Sequence, residues 1–342
     1  MRARLIYNPI SGQELMKRAI ADVLDHLEGF GYETSAFATT ADENSAKEEA
    51  MRVCQSGDYD LIVAAGGDGT INAVVNGMVG FSHLTKLAII PMGTTNDFAR
   101  ALKIPRNEPL AAIDIVGKKQ LLAVDVGRMT RETDDEKTYF INIAATGALS
   151  ELTYSVPSNL KTTFGYLAYL AKGVELLPRV KKVPVRIEHD NGVFEGEASM
   201  IFVALTNSVG GFERIAPDAK LDDGLFSVFL VKTDNLFEIL ALLAMVAQGT
   251  GKHLIDVNTE YIRSRSLTIE PLSTTQMLVN LDGEYGGEAP VKFDNLKGAI
   301  DIFVNLDEID DDNYIGDDED AANASVAQKF AEEVTKIEGT QH

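Results

Sequence analysis

The 342-residue chain has a single cysteine, Cys54, which excludes an internal disulfide. Its five histidines, His26, His83, His189, His253 and His342, have no metal-ligand spacing, and no Cys/His cluster exists to hold structural zinc. No apolar run approaches the roughly 20 residues that span a bilayer. No signal peptide is expected, because Arg2 and Arg4 lead into a short strand that stops at Asn8-Pro9. Basic residues are also scarce, 31 Lys and Arg against 52 Asp and Glu for a net charge of −21. Nucleic-acid binding needs a basic footprint and is excluded on that ground, while approach to an anionic membrane would rest on local basic patches. No G-x-S-x-G elbow is present for a serine hydrolase.

What the chain has is core-forming capacity. It is 45% hydrophobic and 24% charged, and its length predicts two domains, with three as the upper bound. The negative charge is uneven. Residues 307–342 carry 12 acidic and 2 basic residues, with blocks at Asp310-Asp311-Asp312 and Asp317-Asp318-Glu319-Asp320, and read as a solvated tail without fixed structure. No internal repeat is found.

The first 125 residues alternate strands and helices. Strands are predicted at Arg2–Tyr7, Tyr32–Ala38, Leu61–Ala65, Leu87–Ile90 and Gln120–Val126, and helices at Gln13–Phe30, Ser45–Ser56, Thr70–Val79 and from near Asn96. That rhythm predicts a doubly wound α/β domain with a parallel sheet. Beyond Gly127, strands are predicted at Tyr139–Ala145, Lys182–His189, Val193–Leu205, Leu225–Val231, Thr259–Glu270 and Gln276–Leu281, which predicts an antiparallel β-sandwich domain. Helices interrupt it at 160–177 and 235–248. A last strand, Ala299–Val304, could return to either domain. The expected division is 1–127, with a returning strand at 295–306, then 128–294, then the tail.

The strongest chemical signal is Gly66-Gly67-Asp68-Gly69-Thr70, directly after a buried-type strand and opening a helix. Glycines at such a turn allow close backbone approach, and the helix N-terminus offers free N–H groups to phosphate. The bland reading is a tight turn with Thr70 as helix cap. The loop is not a Walker A sequence, for Gly249-Thr250-Gly251-Lys252 is followed by His253; nor is it a dinucleotide fingerprint, since Asn72 stands where the third glycine belongs. A carboxylate beside phosphates is repulsive unless a divalent cation lies between them, so Asp68 implies Mg²⁺.

Two more turns are expected at the same sheet edge: Asn8-Pro9-Ile10-Ser11-Gly12 and Pro91-Met92-Gly93-Thr94-Thr95-Asn96-Asp97. Each alone reads equally as a capped turn, with Ser11, Thr94 or Asn96 satisfying helix N–H groups. Leu221-Asp222-Asp223-Gly224 reads as an Asp-Gly turn. Asp282-Gly283-Glu284-Tyr285-Gly286-Gly287 reads as a hairpin turn, or as two acids suited to general-base work. The apolar stripe Leu160, Phe164, Leu167, Leu170, Val174 and Leu177, followed by Arg179, Lys181 and Lys182, reads as a core helix or as a lipid-facing one.

On these motifs, residues 1–306 resemble the bacterial diacylglycerol kinases of the B type, relatives of sphingosine and ceramide kinases. The resemblance implies ATP bound between an α/β domain and a β-sandwich. By matching motifs, the ATP contacts would be Asn8, Pro9, Ile10, Ser11, Gly12, Thr39, Gly66, Gly67, Asp68, Gly69, Thr70, Ile71, Asn72, Ala73 and Thr94. Glu284 matches the acceptor of the lipid hydroxyl proton. Asp68, Asp97 and Asp125 match an acidic network that holds catalytic Mg²⁺ through water. The carbonyls of Lys220 and Leu225, with Asp223, match a second, structural Mg²⁺ site. Gln13 departs from the family lysine after Ser-Gly, with Lys17 and Arg18 nearby. The resemblance further implies conversion of 1,2-diacylglycerol to phosphatidic acid at the inner membrane face, by a cytoplasmic, peripherally membrane-associated homodimer that recycles diacylglycerol from lipoteichoic acid synthesis. Alternatives are another lipid alcohol such as a sphingoid base, NAD as acceptor, or a nucleotide-sensing membrane module without catalysis.

Overall fold

The fold was analysed in a computed structural model, which describes residues 1–42, 44–81, 85–147, 181–206, 220–235, 238–239 and 258–309. The predicted helix at 160–177, nearly all of that at 235–248, and the acidic tail beyond 309 lie outside the described residues.

Strands β1 (Arg2–Tyr7), β2 (Glu33–Ala38), β3 (Leu61–Gly66) and β4 (Lys86–Pro91) form a parallel sheet in the order β2-β1-β3-β4. Every residue of β3 is buried, as expected of a central strand covered on both faces. Helix α1 (Leu15–Gly29) turns Met16, Val23 and Leu27 inward at helical spacing, and α3 (Asp68–Met78) does the same with Ile71, Val74, Val75 and Met78. Between them, α2 (Ser45–Ser56) ends at Gly57, whose φ of +67° supplies the left-handed stop. After the short α4 (Asp97–Ala101) comes α5 (Pro109–Lys118), which the sequence analysis does not predict; it starts on proline and ends at left-handed Lys119. Helix α1 packs with α5, and α2 with α3.

The chain order reverses across β1: β2 lies on one side of it and β3 on the other. In open α/β sheets, ligands bind outside the carboxyl ends of the strands at such a reversal.

Two strands run longer than their sequence pattern. Strand β5 is Leu121–Arg131 and the last strand is Val291–Phe303. They pair antiparallel from Val291↔Arg131 to Phe303↔Leu121, with a bulge between Leu296 and Ile300. One end of this pair joins the parallel sheet through Ile302↔Leu87, and the other joins the antiparallel strands.

The second half departs from the predicted strands in three places. Tyr139–Ala145 is two strands, β6 (Lys137–Phe140) and β7 (Ile143–Gly147), because the N–H groups of Ile141 and Asn142 turn to a carboxylate described below. Val193–Leu205 divides at Ser199 into β9 (Gly192–Ala198) and β10 (Met200–Ala204), preceded by β8 (Val183–His189). Thr259–Glu270 divides at Arg265 into β12 (Thr259–Ser264) and β13 (Ser266–Pro271), after β11 (Phe226–Val231). At both divisions the chain passes from one sheet to the other. A second sheet runs β12-β11-β10-β7-β14-β15, where β14 is Leu278–Leu281 and β15 is Glu284–Glu288; the last strand is therefore β16. Met129, Phe140 and Phe293 from one sheet meet Ile201, Val203 and Phe226 from the other in a sandwich core. Past β16 the chain makes one helical turn, α6 (Leu306–Ile309), so residues 307–309, expected in the tail, are helical.

Gly77 lets α3 lie directly on α2. A Cβ there would meet the Lys47 carbonyl oxygen at 2.3 Å and the Ala50 Cβ at 2.9 Å. Helix propensity alone makes Gly77→Ala stabilising by about 1 kcal/mol, whereas this contact makes it destabilising by about 1–3 kcal/mol. Urea unfolding of the variant should show the lower midpoint; a raised midpoint would refute the contact.

Candidate active site

Three loops leave the carboxyl ends of β1, β3 and β4 and touch one another. Loop 8–12 is tied to β3 by Asn8 N–H donating to the Ala65 carbonyl at 2.9 Å, and closed by Ile10 N–H donating to Asn8 Oδ1 at 3.1 Å. Gly12, at φ +58°, sits against Met92, whose Cε would be 2.9 Å from a Cβ. Loops 66–70 and 91–97 meet backbone to backbone: a Cβ on Gly93 would lie 2.7 Å from the Gly67 Cα. Asn96 locks the third loop. It is buried and left-handed, accepts from Gly93 N–H at 2.7 Å and donates to the Gly93 carbonyl at 2.8 Å. Thr39, at the end of β2, joins the same edge through its N–H to the Tyr7 carbonyl at 2.9 Å. The expected nucleotide-contact residues of these loops therefore share one crevice. Ile10 and Thr94 are exposed there, whereas the Ile71 side chain is fully buried in the core and supports α3 from below.

Asp68 is the first residue of α3. Its Oδ2 accepts from Thr95 Oγ1 at 2.9 Å and from Asn96 N–H at 2.9 Å, while its Oδ1 is buried and has no partner. Leaving a buried acceptor unsatisfied costs about 1–3 kcal/mol, so an orphan at this place marks a ligand position. The donor set fits Mg²⁺, which takes one or two carboxylates and completes its shell with water and phosphate oxygens. Among the described residues no three acid, His or Cys side chains converge on a metal position. Asp97 opens α4 immediately after Asn96.

Asp125 is engaged elsewhere. Its Oδ2 accepts from Gly224 N–H at 2.6 Å and its Oδ1 from Gly298 N–H at 2.9 Å, at the bulge of β16. Burial pushes this carboxyl up, against the pull of those donors. In the loop expected to hold a second cation, Asp223 accepts from Leu225 N–H at 2.9 Å and is ion-paired with Arg263. Each oxygen thus has one protein partner and keeps a further lone pair.

Glu284 is exposed at the start of β15. Asp282 and Gly283, both at positive φ, make the two-residue turn that closes Leu281 opposite Glu284, the geometry Asp-Gly favours. Asp282, the other acid of the turn, has its carboxylate enclosed by donors that the sequence does not announce. Oδ1 accepts from Asn142 and Ile143 N–H at 2.9 and 2.8 Å, and Oδ2 from Ile141 N–H and Asn72 Nδ2, each at 2.7 Å. Burial pushes it up to about 6, outweighing the four donors. Asn72 belongs to α3, one turn beyond Asp68, so the hairpin of Glu284 is fastened to the helix that opens at the phosphate-type loop.

Gly93→Ala tests the contact between the two glycine loops. Its cost of about 1–3 kcal/mol, if borne by the site, corresponds to about 5–150-fold weaker ATP binding by calorimetry, with cooperative unfolding retained. Unchanged affinity would refute the close approach as a requirement of the site.

Comparison with known proteins agrees with this geometry. Residues 2–129 match the family model described as the diacylglycerol kinase catalytic domain, and residues 146–304 match the YegS C-terminal NAD kinase beta sandwich-like domain. A diacylglycerol kinase of Staphylococcus haemolyticus is 46% identical over 319 residues, covering 92% of this chain and 93% of the relative. One from Staphylococcus aureus is 44% identical, covering 91% and 98%. A crystal structure of a candidate diacylglycerol kinase from Bacillus anthracis superposes with a TM-score of 0.73 at 26% identity, covering 89% of this chain and 95% of that one. The chain belongs to the diacylglycerol kinase family.

Proposed function

We propose that this kinase transfers the γ-phosphoryl group of ATP to the free hydroxyl of 1,2-diacylglycerol, giving phosphatidic acid and ADP. The observation that carries the reading is the placement of Glu284 on a turn fastened to α3, whose N-terminus holds the orphaned oxygen of Asp68. Phosphoryl transfer asks mainly for positioning and for neutralisation of charge. The three loops receive the phosphates on main-chain N–H groups and on the positive end of α3. A Mg²⁺ ion bound through Asp68 and water would supply the remaining positive charge. Glu284 takes the proton of the lipid hydroxyl as its oxygen bonds to the γ-phosphorus and the bond to ADP breaks.

This reading includes the division of the chain at 127/128, with 295–306 returning to the first domain. It also includes peripheral contact with the inner membrane face and a homodimer. No helix among the described residues is long and apolar enough to cross a membrane. The apolar segment 160–177 and its basic neighbours are the candidate contact.

ADP release from Mg²⁺-ATP, measured with diacylglycerol in anionic mixed micelles, tests the reading. Glu284→Gln should lose about 10²–10⁴-fold in turnover with ATP binding kept, and Asp68→Ala should abolish turnover. Near-wild-type turnover by Glu284→Gln would remove it as the base. Preferred turnover of a sphingoid base or NAD would reassign the acceptor, and ATP binding without ADP release would favour a sensing module.

A further inference from the structure

We propose that Asp282 and Asn72 act together as a positioning clamp, holding the Glu284 hairpin of the second half against helix α3 of the first; the inference rests on the kinase reading above. The hydrogen-bond network is continuous. Tyr139 on β6 exchanges main-chain bonds with the Asn76 amide, its carbonyl accepting at 3.0 Å and its N–H donating to Asn76 Oδ1 at 3.2 Å. Asn76 donates in turn to Asn72 Oδ1 at 2.9 Å, one helical turn away. Asn72 donates to Asp282, and Asp282 gathers the three successive N–H groups of residues 141–143. One carboxylate therefore holds three elements: α3, the β6–β7 connection and the β14–β15 turn.

The geometry separates the clamp from plain stability. Three of the four bonds to Asp282 come from the same half of the molecule and keep the turn folded. The fourth, from Asn72, joins the halves and sets where Glu284 stands relative to the N-terminus of α3. The only other side chain on α3 that bonds the second half is Asn76, among the described residues. A general base displaced by about 1 Å can lose about 100-fold in rate. Glu284 is exposed, so its position is set by its turn and not by packing around its own side chain.

The experiment compares wild type, Asn72→Ala, Asp282→Asn and the double variant on the full chain. Asn72→Ala removes the bond to Asp282, the longer bond to the Tyr139 carbonyl at 3.4 Å and the acceptor of the Asn76 amide, and alanine suits a helix. In Asp282→Asn one acceptor oxygen becomes a donor facing Ile141 N–H and Asn72. Because the Asn72 side-chain amide is bonded to Asp282 and Asn76, an ATP contact by this residue would be made by its main chain and survive Asn72→Ala. Each single variant should therefore lose about 10–100-fold in kcat, with the ATP dissociation constant changed by less than about threefold. The double variant should be no worse than the weaker single one, as expected of two groups sharing one bond. Losses that multiply, a kcat of Asn72→Ala equal to wild type, or an ATP affinity that falls in step with kcat would each overturn the clamp. Amide hydrogen exchange of residues 282–286 gives a readout independent of turnover: faster exchange in Asn72→Ala supports the clamp, and unchanged exchange refutes it. If wild type turns over no diacylglycerol, the kinase reading fails and the clamp is decided by exchange alone.

Discussion

The arrangement of this molecule depends on the antiparallel pair β5–β16, which runs through both halves. A pair of this length cannot let the halves rotate freely, because the same ladder that closes the parallel sheet also starts the sandwich. The bulge between Leu296 and Ile300 is where the ladder bends. There Asp125 accepts from Gly298 on one side and Gly224 on the other, and its own N–H donates to the Leu221 carbonyl at 2.7 Å. A buried carboxylate with main-chain donors is costly to bring in and costly to disturb. Asp125 thus ties the bend of β16 to the 221–224 loop.

Helix α3 serves two purposes along its length. Its first turn faces the crevice at the reversal of strand order, with Asp68 and the free N–H groups of a helix start. Its second turn presents Asn72 and Asn76 to the sandwich. Gly67 caps the helix and passes beside Gly93, where a Cβ on Gly93 would lie 2.7 Å from the Gly67 Cα. Asp68 is satisfied on one oxygen by Thr95 and Asn96, so the third loop orients the acid while leaving its other oxygen to a ligand. A side chain oriented by its neighbours loses little freedom when the ligand arrives.

The parallel half was largely legible in the sequence. Buried runs such as Leu61–Ala65, with glycine loops after them, specify both the strand and the edge on which the loops gather. The sandwich was less legible because its strands change sheet within unbroken strand-like runs. At Ser199 alternation gives way to the apolar run Met200–Ala204, and at Arg265 the buried positions shift phase from Ile262 and Ser264 to Leu267 and Ile269. No glycine or proline marks either corner. Helix α5 carried the start and stop signals of proline and a left-handed lysine, but its run is short. In the site, Glu284 and Asp68 were legible because glycines surround them. Asp125, matched to the acidic network, lies at the bulge of β16, where it accepts from Gly224 and Gly298 N–H. Asp223, matched to a cation site, is ion-paired with Arg263. Asp282 was legible as one of the two acids of the turn, but its holding role was not, because its four partners come from residues 72 and 141–143.

The two acids of the hairpin show how environment divides roles within one short motif. Asp282 and Glu284 are two residues apart on a turn of fixed geometry, yet one is enclosed by four donors and the other faces solvent. An exposed glutamate on a free two-residue turn would spread over many positions, and ordering it on each turnover would cost conformational entropy. Enclosing the neighbouring aspartate transfers that cost from the reaction to folding, where it is met once by bonds that assemble with the sandwich. The burial of Asp282 pushes its carboxyl up, which shows that it sits there against its own solvation preference. A group kept in such a place by its partners is suited to hold position, while the acid beside it stands exposed to solvent.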